Sequence, residues 1–226
     1  MAEYAVTMAS MLLRRFGWAD AEIRRGEYVT FRVRMVADSL RGLDGLTVGI
    51  IGLGTIGLAV AEAFQHMRCR ICFYDPSPAN PAAAAALGAD AMPLDALLAA
   101  SDVVSLHVPL LPATRKLIGE RELLLMKSGA ILIQASRGGV VDEHALAAHL
   151  RSGNLGGAAI DVYGSEPPAP DNPLLDLADL EVAHRVLLTP HIAGVTRQSA
   201  AFLLRSAWRN VERVLIAGEP PENRVF

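Results

Sequence analysis

The chain has 226 residues, of which 52% are hydrophobic and 20% are charged, and its formal net charge is -3. This composition is typical of a globular protein, and it excludes a disordered chain and gives no indication of a nucleic-acid or membrane-surface partner. Two cysteines are too few for a disulfide framework, so we expect a protein of the reducing cytoplasm.

The first 45 residues are predicted to form a helix and an exposed connector. Apolar residues recur at helical spacing over residues 2–15, and Arg14 and Arg15 stand where the helix dipole favours cations. Residues 16–44 are mixed in character and rich in arginine, which indicates an exposed arm.

From Leu46 onward, short apolar runs alternate with helix-like stretches. The apolar runs are 47–51, 70–74, 102–107, 130–134, 157–162 and 186–189. The helix-like stretches are 57–66, 81–87, 94–100, 120–126, 142–151 and a final one over 198–217. Near-continuous apolar strands that alternate with helices predict a parallel sheet covered on both faces. With right-handed crossovers, this becomes a doubly wound α/β fold of the Rossmann type.

Cys69 and Cys72 form a C-x-x-C pattern for which two interpretations exist. The pair could be a redox dithiol, or simply two small apolar residues at the entrance of a strand. We favour the second interpretation, because strand-like residues follow at once and redox dithiols usually lie at a helix N-terminus.

Residues 52–57 read Gly-Leu-Gly-Thr-Ile-Gly, between a predicted strand and a predicted helix. In a dinucleotide-binding turn the first glycine permits the tight turn, the second lets the backbone approach the pyrophosphate, and the third lets helix and strand pack closely. Asp75 closes the next strand, where a carboxylate binds the adenosine ribose and repels the 2′-phosphate of NADP. Alternatively, the glycines could form an ordinary turn and Asp75 could simply end a strand. We favour an NAD site, because the strand, the three glycines, the helix and the acidic residue all occur in the expected order.

Four further segments follow in order: SDVVSLHVPLLPATRKLIG (101–119), MKSGAILIQASRGGVVDEHALAAHLRSG (126–153), AAIDVYGSEPP (158–168) and LLTPHIAG (187–194). With the glycine motif, they resemble the D-isomer-specific 2-hydroxyacid dehydrogenase family over nearly the whole chain. The resemblance implies that Arg137, Glu166 and His191 are catalytic. It implies that Asp161 faces the nicotinamide carboxamide and that Val108 and Pro109 flank the adenine. The implied cofactor-binding set is Gly52, Gly54, Thr55, Ile56, Gly57, Asp75, Val108, Pro109, Thr114, Ser136, Asp161 and Gly194.

The three catalytic residue types suit the reduction of a 2-keto acid. Histidine can donate a proton near neutral pH, a neighbouring carboxylate orients its ring, and arginine presents a planar fork to a carboxylate or carbonyl. Each residue also has an ordinary interpretation. Arg137 could pair with Asp142 or Glu143, Glu166 could be a solvated loop acid, and His191 could be a structural turn residue.

The spacing of the other histidines does not match that of metal ligands, so we predict that the protein binds no metal. His66, His144 and His149 are expected on polar helix faces, His184 in a loop, and His107 at the end of a strand beside the cofactor. Gln134 and Ala135 depart from the family, which often has an asparagine and a small polar residue there.

The resemblance also predicts the domain organisation. Residues 1–45 correspond to a hinge helix and dimerisation arm, 46–195 to the NAD-binding domain, and 196–226 to a helix that returns to the substrate domain. The upstream half of that substrate domain is not in the sequence, so we expect NAD binding with weak or absent turnover by this chain alone. We expect a homodimer that acts on a small 2-keto or 2-hydroxy acid. A non-catalytic NAD-binding module, or another Rossmann enzyme class, is the alternative.

Overall fold

The structure is a computed structural model that describes residues 1–78, 81–177, 182 and 184–222. The strands are β1 (Thr47–Ile51), β2 (Arg70–Tyr74), β3 (Asp90–Ala91), β4 (Val103–Leu106), β5 (Ile131–Gln134), β6 (Gly157–Ile160) and β7 (Val186–Leu188). The helices are α1 (Ala2–Leu13), α2 (Phe16–Arg24), α3 (Tyr28–Ala37), α4 (Thr55–His66), α5 (Pro81–Ala86), α6 (Leu94–Ala100), α7 (Glu120–Leu125), α8 (Glu143–Arg151) and α9 (Arg197–Leu215).

The seven strands form one parallel sheet in the order β3-β2-β1-β4-β5-β6-β7, which confirms the predicted doubly wound fold. The chain first adds β2 and β3 on one side of β1, and then crosses to add β4 to β7 on the other side of β1. The strand order therefore reverses between β1 and β4, which pair directly. In such sheets, ligands bind beyond the carboxyl ends of the strands at this switch point.

Helices cover both faces of the sheet. Helices α1 and α4 pack on one face, over a core that includes Ile50, Phe64 and Ile133. Helices α6, α7 and α8 cover the other face, where Leu106 and Leu132 are fully buried. Every residue of β1 is buried because it is enclosed from both sides, which explains its unbroken apolar sequence.

Two parts of the fold differ from the sequence prediction. The arginine-rich stretch 16–44 was predicted as an exposed arm with no helix assigned to it, but it contains α2 and α3. Strand β3 was not predicted, because it has only two residues and both are exposed at the sheet edge.

The chain divides into two compact units, Met1–Ala193 and Gly194–Phe226. The second unit contains α9, whose first turn is capped by the Thr196 side chain through the amide of Ser199. Within the described residues, every helix is too short or too polar to cross a membrane.

The two cysteines are free and buried, Cys69 just before β2 and Cys72 within it. Burial raises the pKa of Cys69 to about 11 and also raises that of Cys72. Buried thiols with raised pKa values are poor nucleophiles, so the structure agrees with the apolar interpretation of the pair.

Candidate active site

The loop between β1 and α4 can be built only with glycine at two positions. Gly52 has a φ of +90°, and a Cβ atom there would lie 2.6 Å from the carbonyl oxygen of His107. A Cβ atom on Gly57 would lie 1.9 Å from the carbonyl oxygen of Gly52, which would prevent the helix from starting against the loop. At Gly54, in contrast, a Cβ atom would meet no described residue beyond its chain neighbours within 4 Å.

The open space at Gly54 lies directly before helix α4, whose first residues are Thr55 and Ile56. Gly54 is the N-cap and supplies no side-chain hydrogen bond, so the first amides of the helix remain available to a ligand. The positive end of the helix dipole favours an anion at the same place. The loop therefore fits the pyrophosphate of a dinucleotide.

Asp75, directly after β2, holds the glycine loop in place. Its Oδ2 atom accepts a hydrogen bond from the Leu53 amide at 2.8 Å, and its Oδ1 atom accepts one from the Ser77 amide at 2.9 Å. Carboxylate oxygens accept more than one hydrogen bond, so Asp75 can still bind a ribose hydroxyl. The residue expected to select NAD thus also orients the loop.

The segment after β4 lies against the glycine loop. A Cβ atom on Gly52 would lie 2.8 Å from the Val108 side chain. The Thr114 hydroxyl donates to the Pro109 carbonyl at 2.6 Å and accepts from the Leu111 amide at 2.8 Å. Thr114 therefore shapes this segment, and its contact with a cofactor stays a prediction.

His107 ends the same strand region and was predicted only to line the site. Its Nε2 atom lies 2.8 Å from Ser105 Oγ, while Nδ1 is buried and has no hydrogen-bond partner among the described residues. Burial lowers the pKa of His107 to about 4, so the ring is neutral at physiological pH. No sequence signal distinguishes this enclosed ring from an ordinary strand-end histidine.

Gln134 fixes the turn that carries Arg137. Gln134 Oε1 accepts from the amide and the hydroxyl of Ser136, at 3.2 and 2.7 Å, and Nε2 donates to the Arg137 carbonyl at 3.0 Å. Arg137 is exposed and donates one hydrogen bond to the Ser136 carbonyl at 2.7 Å. Among the described residues it makes no ion pair with Asp142 or Glu143, which was its ordinary interpretation.

Glu166 and His191 are in direct contact. Glu166 Oε2 lies 2.8 Å from His191 Nδ1, and Glu166 Oε1 accepts a hydrogen bond from the Tyr163 amide at 3.1 Å. The hydrogen bond with His191 lowers the pKa of Glu166, and the Tyr163 amide and the positive charge of Arg137 lower it further. Glu166 is therefore not an unpartnered loop acid: it contacts His191, and the positive charge of Arg137 acts on it from a greater distance.

Asp161, which follows β6, supports the turn that carries His191. Its buried carboxylate accepts hydrogen bonds from the Thr189 hydroxyl at 2.6 Å and from the amides of Ile192 and Ala193 at 2.8 and 2.7 Å. His191 has a φ of +55°, a left-handed conformation that costs a non-glycine residue about 1–2 kcal/mol. Hydrogen bonds on both sides of His191 hold this conformation.

Some predicted residues lie elsewhere or behave differently. His149 was expected on a polar face but is buried, because α8 packs against α7; its Nε2 lies 3.2 Å from Glu120 Oε1. Gly194 begins the second unit, and its contact with a cofactor stays a prediction. No group of three or more potential metal ligands occurs among the described residues.

The model of the D-isomer specific 2-hydroxyacid dehydrogenase NAD binding domain matches residues 6–193. The chain belongs to this family. The predicted family and its cofactor, NAD, are thereby confirmed, and the matched residues include the glycine loop and the Glu166–His191 pair.

The relatives of this chain are named after different substrates. D-3-phosphoglycerate dehydrogenase of Archaeoglobus fulgidus is 38% identical over 198 residues, which cover 88% of this chain and 35% of the relative. Glyoxylate reductase of Korarchaeum cryptofilum is 38% identical over 229 residues, which cover 99% of this chain and 65% of the relative. D-lactate dehydrogenase from Lactobacillus jensenii, solved with NAD+, superposes with a TM-score of 0.83 at 32% identity and covers 100% of this chain and 68% of that one. The chain thus spans less than two thirds of the curated relatives' length.

Proposed function

We propose that the chain is the NAD-binding part of an oxidoreductase that interconverts a small 2-keto acid and its D-2-hydroxy acid. The observation that carries this proposal is the 2.8 Å contact between Glu166 Oε2 and His191 Nδ1, with Arg137 close enough to lower the pKa of Glu166. These residues follow β5, β6 and β7, at the edge of the sheet where open α/β folds bind ligands. The substrate names of the relatives support the substrate class.

His191 is the proposed acid and base. The Glu166 carboxylate can only accept, so Nδ1 carries a hydrogen and Nε2 is the nitrogen that meets the substrate. During reduction, the protonated ring gives its Nε2 proton to the carbonyl oxygen of the 2-keto acid. During oxidation, the neutral ring removes the hydroxyl proton of the 2-hydroxy acid. Ionised Glu166 orients the ring and stabilises its positive charge in the protonated form.

Arg137 is the proposed anchor for the substrate. Among the described residues, one of its N–H groups is engaged, by the Ser136 carbonyl, so the others can bind the substrate carboxylate and polarise the carbonyl. NADH, when bound, supplies the hydride that adds to the carbonyl carbon. The residues of the first unit proposed to hold the dinucleotide are Gly52, Gly54, Thr55, Ile56, Gly57, Asp75, Val108, Pro109, Thr114, Ser136 and Asp161.

NADH oxidation with glyoxylate, hydroxypyruvate and pyruvate tests the catalytic roles. His191→Ala should reduce the rate by about a hundredfold or more while NADH fluorescence still reports binding. The matched control is His144→Ala, because His144 is an exposed histidine on α8. If His191→Ala changed nothing, a non-catalytic NAD-binding module would be the better description.

We also propose that the chain alone binds NADH but turns over slowly. Residues 46–195 are the proposed NAD-binding domain, and residues 1–45 and 196–226 are the proposed hinge region and C-terminal helix. The chain covers 35% and 65% of the length of the two curated relatives named above, and we propose that their remaining residues complete the substrate site. A substrate held from one side only is poorly placed for hydride transfer. Fast turnover by the isolated chain would contradict this part of the proposal.

A homodimer through residues 1–45 is the proposed assembly. On α3, Phe31 is buried, whereas the large apolar side chains on the other side are 60–72% exposed, namely Tyr28, Val29, Val33 and Val36. An exposed apolar face of this kind usually marks an interface. Val33→Asp should convert the dimer to a monomer in sedimentation velocity. Leu124→Asp, at a similarly exposed apolar position on α7, should not, and a monomeric parent chain would contradict the proposal.

The cytoplasm is the proposed location. Cys69 and Cys72 are both free and buried, as expected for a protein that folds where thiols stay reduced. Cell fractionation with an antibody to the chain tests this, and recovery in an oxidising compartment would contradict it.

A further inference from the structure

We infer that Tyr4 and Thr189 are positioning residues for His191, acting through the buried carboxylate of Asp161. The inference rests on the proposed function, because that proposal gives His191 its role. Tyr4 lies in the first turn of α1 and Thr189 directly follows β7. Although they are 185 positions apart, Tyr4 Oη and Thr189 Oγ1 lie 2.7 Å from each other.

The directions of the Tyr4–Thr189 and Thr189–Asp161 hydrogen bonds follow from which of the three groups has a proton to donate. Thr189 Oγ1 lies 2.6 Å from Asp161 Oδ1, and an ionised carboxylate can only accept. The single hydroxyl proton of Thr189 is therefore given to Asp161, so Thr189 must accept from Tyr4. Burial raises the pKa of Tyr4 to about 12, and its hydroxyl keeps its proton at physiological pH. Donation thus runs from Tyr4 to Thr189 to Asp161.

Asp161 transmits this contact to both sides of His191. Its carboxylate binds the Thr189 side chain two positions before His191 and the amides of Ile192 and Ala193 directly after it. Its own carbonyl oxygen accepts the His191 amide at 2.9 Å. One buried residue therefore binds the whole turn that keeps His191 in its left-handed conformation.

The two hydroxyl groups are unsuited to a direct catalytic role. Both are part-buried, and each already has a partner on the path to Asp161. Their effect is to place the His191 ring against Glu166, since the turn and α1 are linked through Tyr4. Sequence analysis missed both residues because their partners come together only when α1, β6 and β7 pack.

Four variants of the 226-residue chain test the inference. Thr189→Val keeps the shape but removes the hydroxyl, and Thr189→Ser restores it. Tyr4→Phe removes the first donor, and Tyr28→Phe is its matched control, because Tyr28 is 60% exposed on α3. Two NMR readouts apply: hydrogen exchange of the Ile192 and Ala193 amides, and the ¹³C titration of the Glu166 carboxyl group.

Thr189→Val should speed exchange of the Ile192 and Ala193 amides by about tenfold or more, while the β1 amides exchange as before. The pKa of Glu166 should rise towards its ordinary value as contact with His191 weakens. Tyr4→Phe should change both readouts in the same direction but less, whereas Thr189→Ser and Tyr28→Phe should match the parent chain.

Unchanged readouts in a folded Thr189→Val variant would overturn the inference. If that variant does not fold, unchanged readouts in Tyr4→Phe would overturn it instead. NADH fluorescence titration of the parent chain separates this result from the proposed function. A parent chain that binds no NADH but shows the expected exchange pattern would refute the proposed function and leave the positioning of the His191 turn supported.

Discussion

Glu166 Oε2 lies 2.8 Å from His191 Nδ1, although 25 positions separate the two residues in the sequence. The Glu166 side chain is 38% exposed and the His191 side chain 51% exposed, so solvent screens the pair. Exposed pairs of this kind contribute little to stability. The contact therefore matters mainly because it orients the imidazole ring.

Glu166→Gln should lower the free energy of unfolding at pH 7 by less than about 1 kcal/mol. The hydrogen bond with His191 lowers the pKa of Glu166 in the folded chain from an ordinary value of 4.5. The hydrogen bond therefore stabilises the folded chain fully at a pH above 4.5, and this stabilisation is lost as the pH falls through the lower pKa of Glu166 in the folded state. Urea denaturation of the parent and the variant should show a small difference in the free energy of unfolding at pH 7 and a smaller one at pH 3. A loss of several kcal/mol at pH 7 would mean that the pair is a major structural contact.

Gly54→Ala should leave the fold intact but weaken NADH binding by about tenfold or more. A Cβ atom at Gly54 would meet no described residue beyond its chain neighbours within 4 Å, so it would occupy the space proposed for the pyrophosphate. Gly42→Ala is the matched control, because a Cβ atom there also meets nothing. Fluorescence titration measures binding and circular dichroism measures folding. Equal NADH affinity in all three proteins would exclude a cofactor at this loop.

Asp75→Asn should raise the affinity for NADPH relative to NADH by about tenfold, because the carboxylate no longer repels the 2′-phosphate. A modest loss of stability should accompany this change, since both carboxylate oxygens accept hydrogen bonds from backbone amides. Competitive titration with the two nucleotides measures the ratio. The exposed Asp171→Asn variant serves as control, and an unchanged ratio in Asp75→Asn would remove Asp75 from cofactor selection.

Gln134→Leu should destabilise the chain by about 1–3 kcal/mol. Gln134 is 2% exposed, and its loss would leave the Ser136 amide and the Arg137 carbonyl without their side-chain partner. Gln65→Leu removes a single exposed hydrogen bond to the Leu87 carbonyl and should cost less. Urea denaturation compares the two, and equal costs would argue against a special role for the Gln134 turn.

The thiols of Cys69 and Cys72 should react slowly with Ellman's reagent at pH 8 in the folded chain. Both are buried, and burial raises the pKa of both thiols. In urea, both should react fully. Fast reaction in the folded state would reopen the redox interpretation of the pair.

Much of the fold could be predicted because its central strands are enclosed on both faces. The run 47–51 is apolar throughout for this reason, and the glycines that follow it mark the turn into α4. The hydrophobic pattern does not identify elements that are largely exposed. Strand β3 is short and exposed, and the exposed apolar residues of α3 obscure the helical pattern of a core-facing segment.

The site could be predicted only in part. The motif around Gly52 and the order of Arg137, Glu166 and His191 are visible in the sequence. The supporting hydrogen bonds are not, because they join segments that meet only at the carboxyl edge of the folded sheet. The hydroxyl of Thr189 donates a hydrogen bond to Asp161 in this way, and no local sequence pattern predicts that hydrogen bond.

A crystal structure of the chain with NADH and oxamate, a stable analogue of a 2-keto acid, tests the central claim most directly. We expect the pyrophosphate at Gly54 and the nicotinamide ring beside Asp161. We expect His191 Nε2 and the Arg137 guanidinium within hydrogen-bond distance of the oxamate oxygens. A dinucleotide bound away from the glycine loop, or His191 turned away from both Glu166 and the oxamate, would contradict the proposed function.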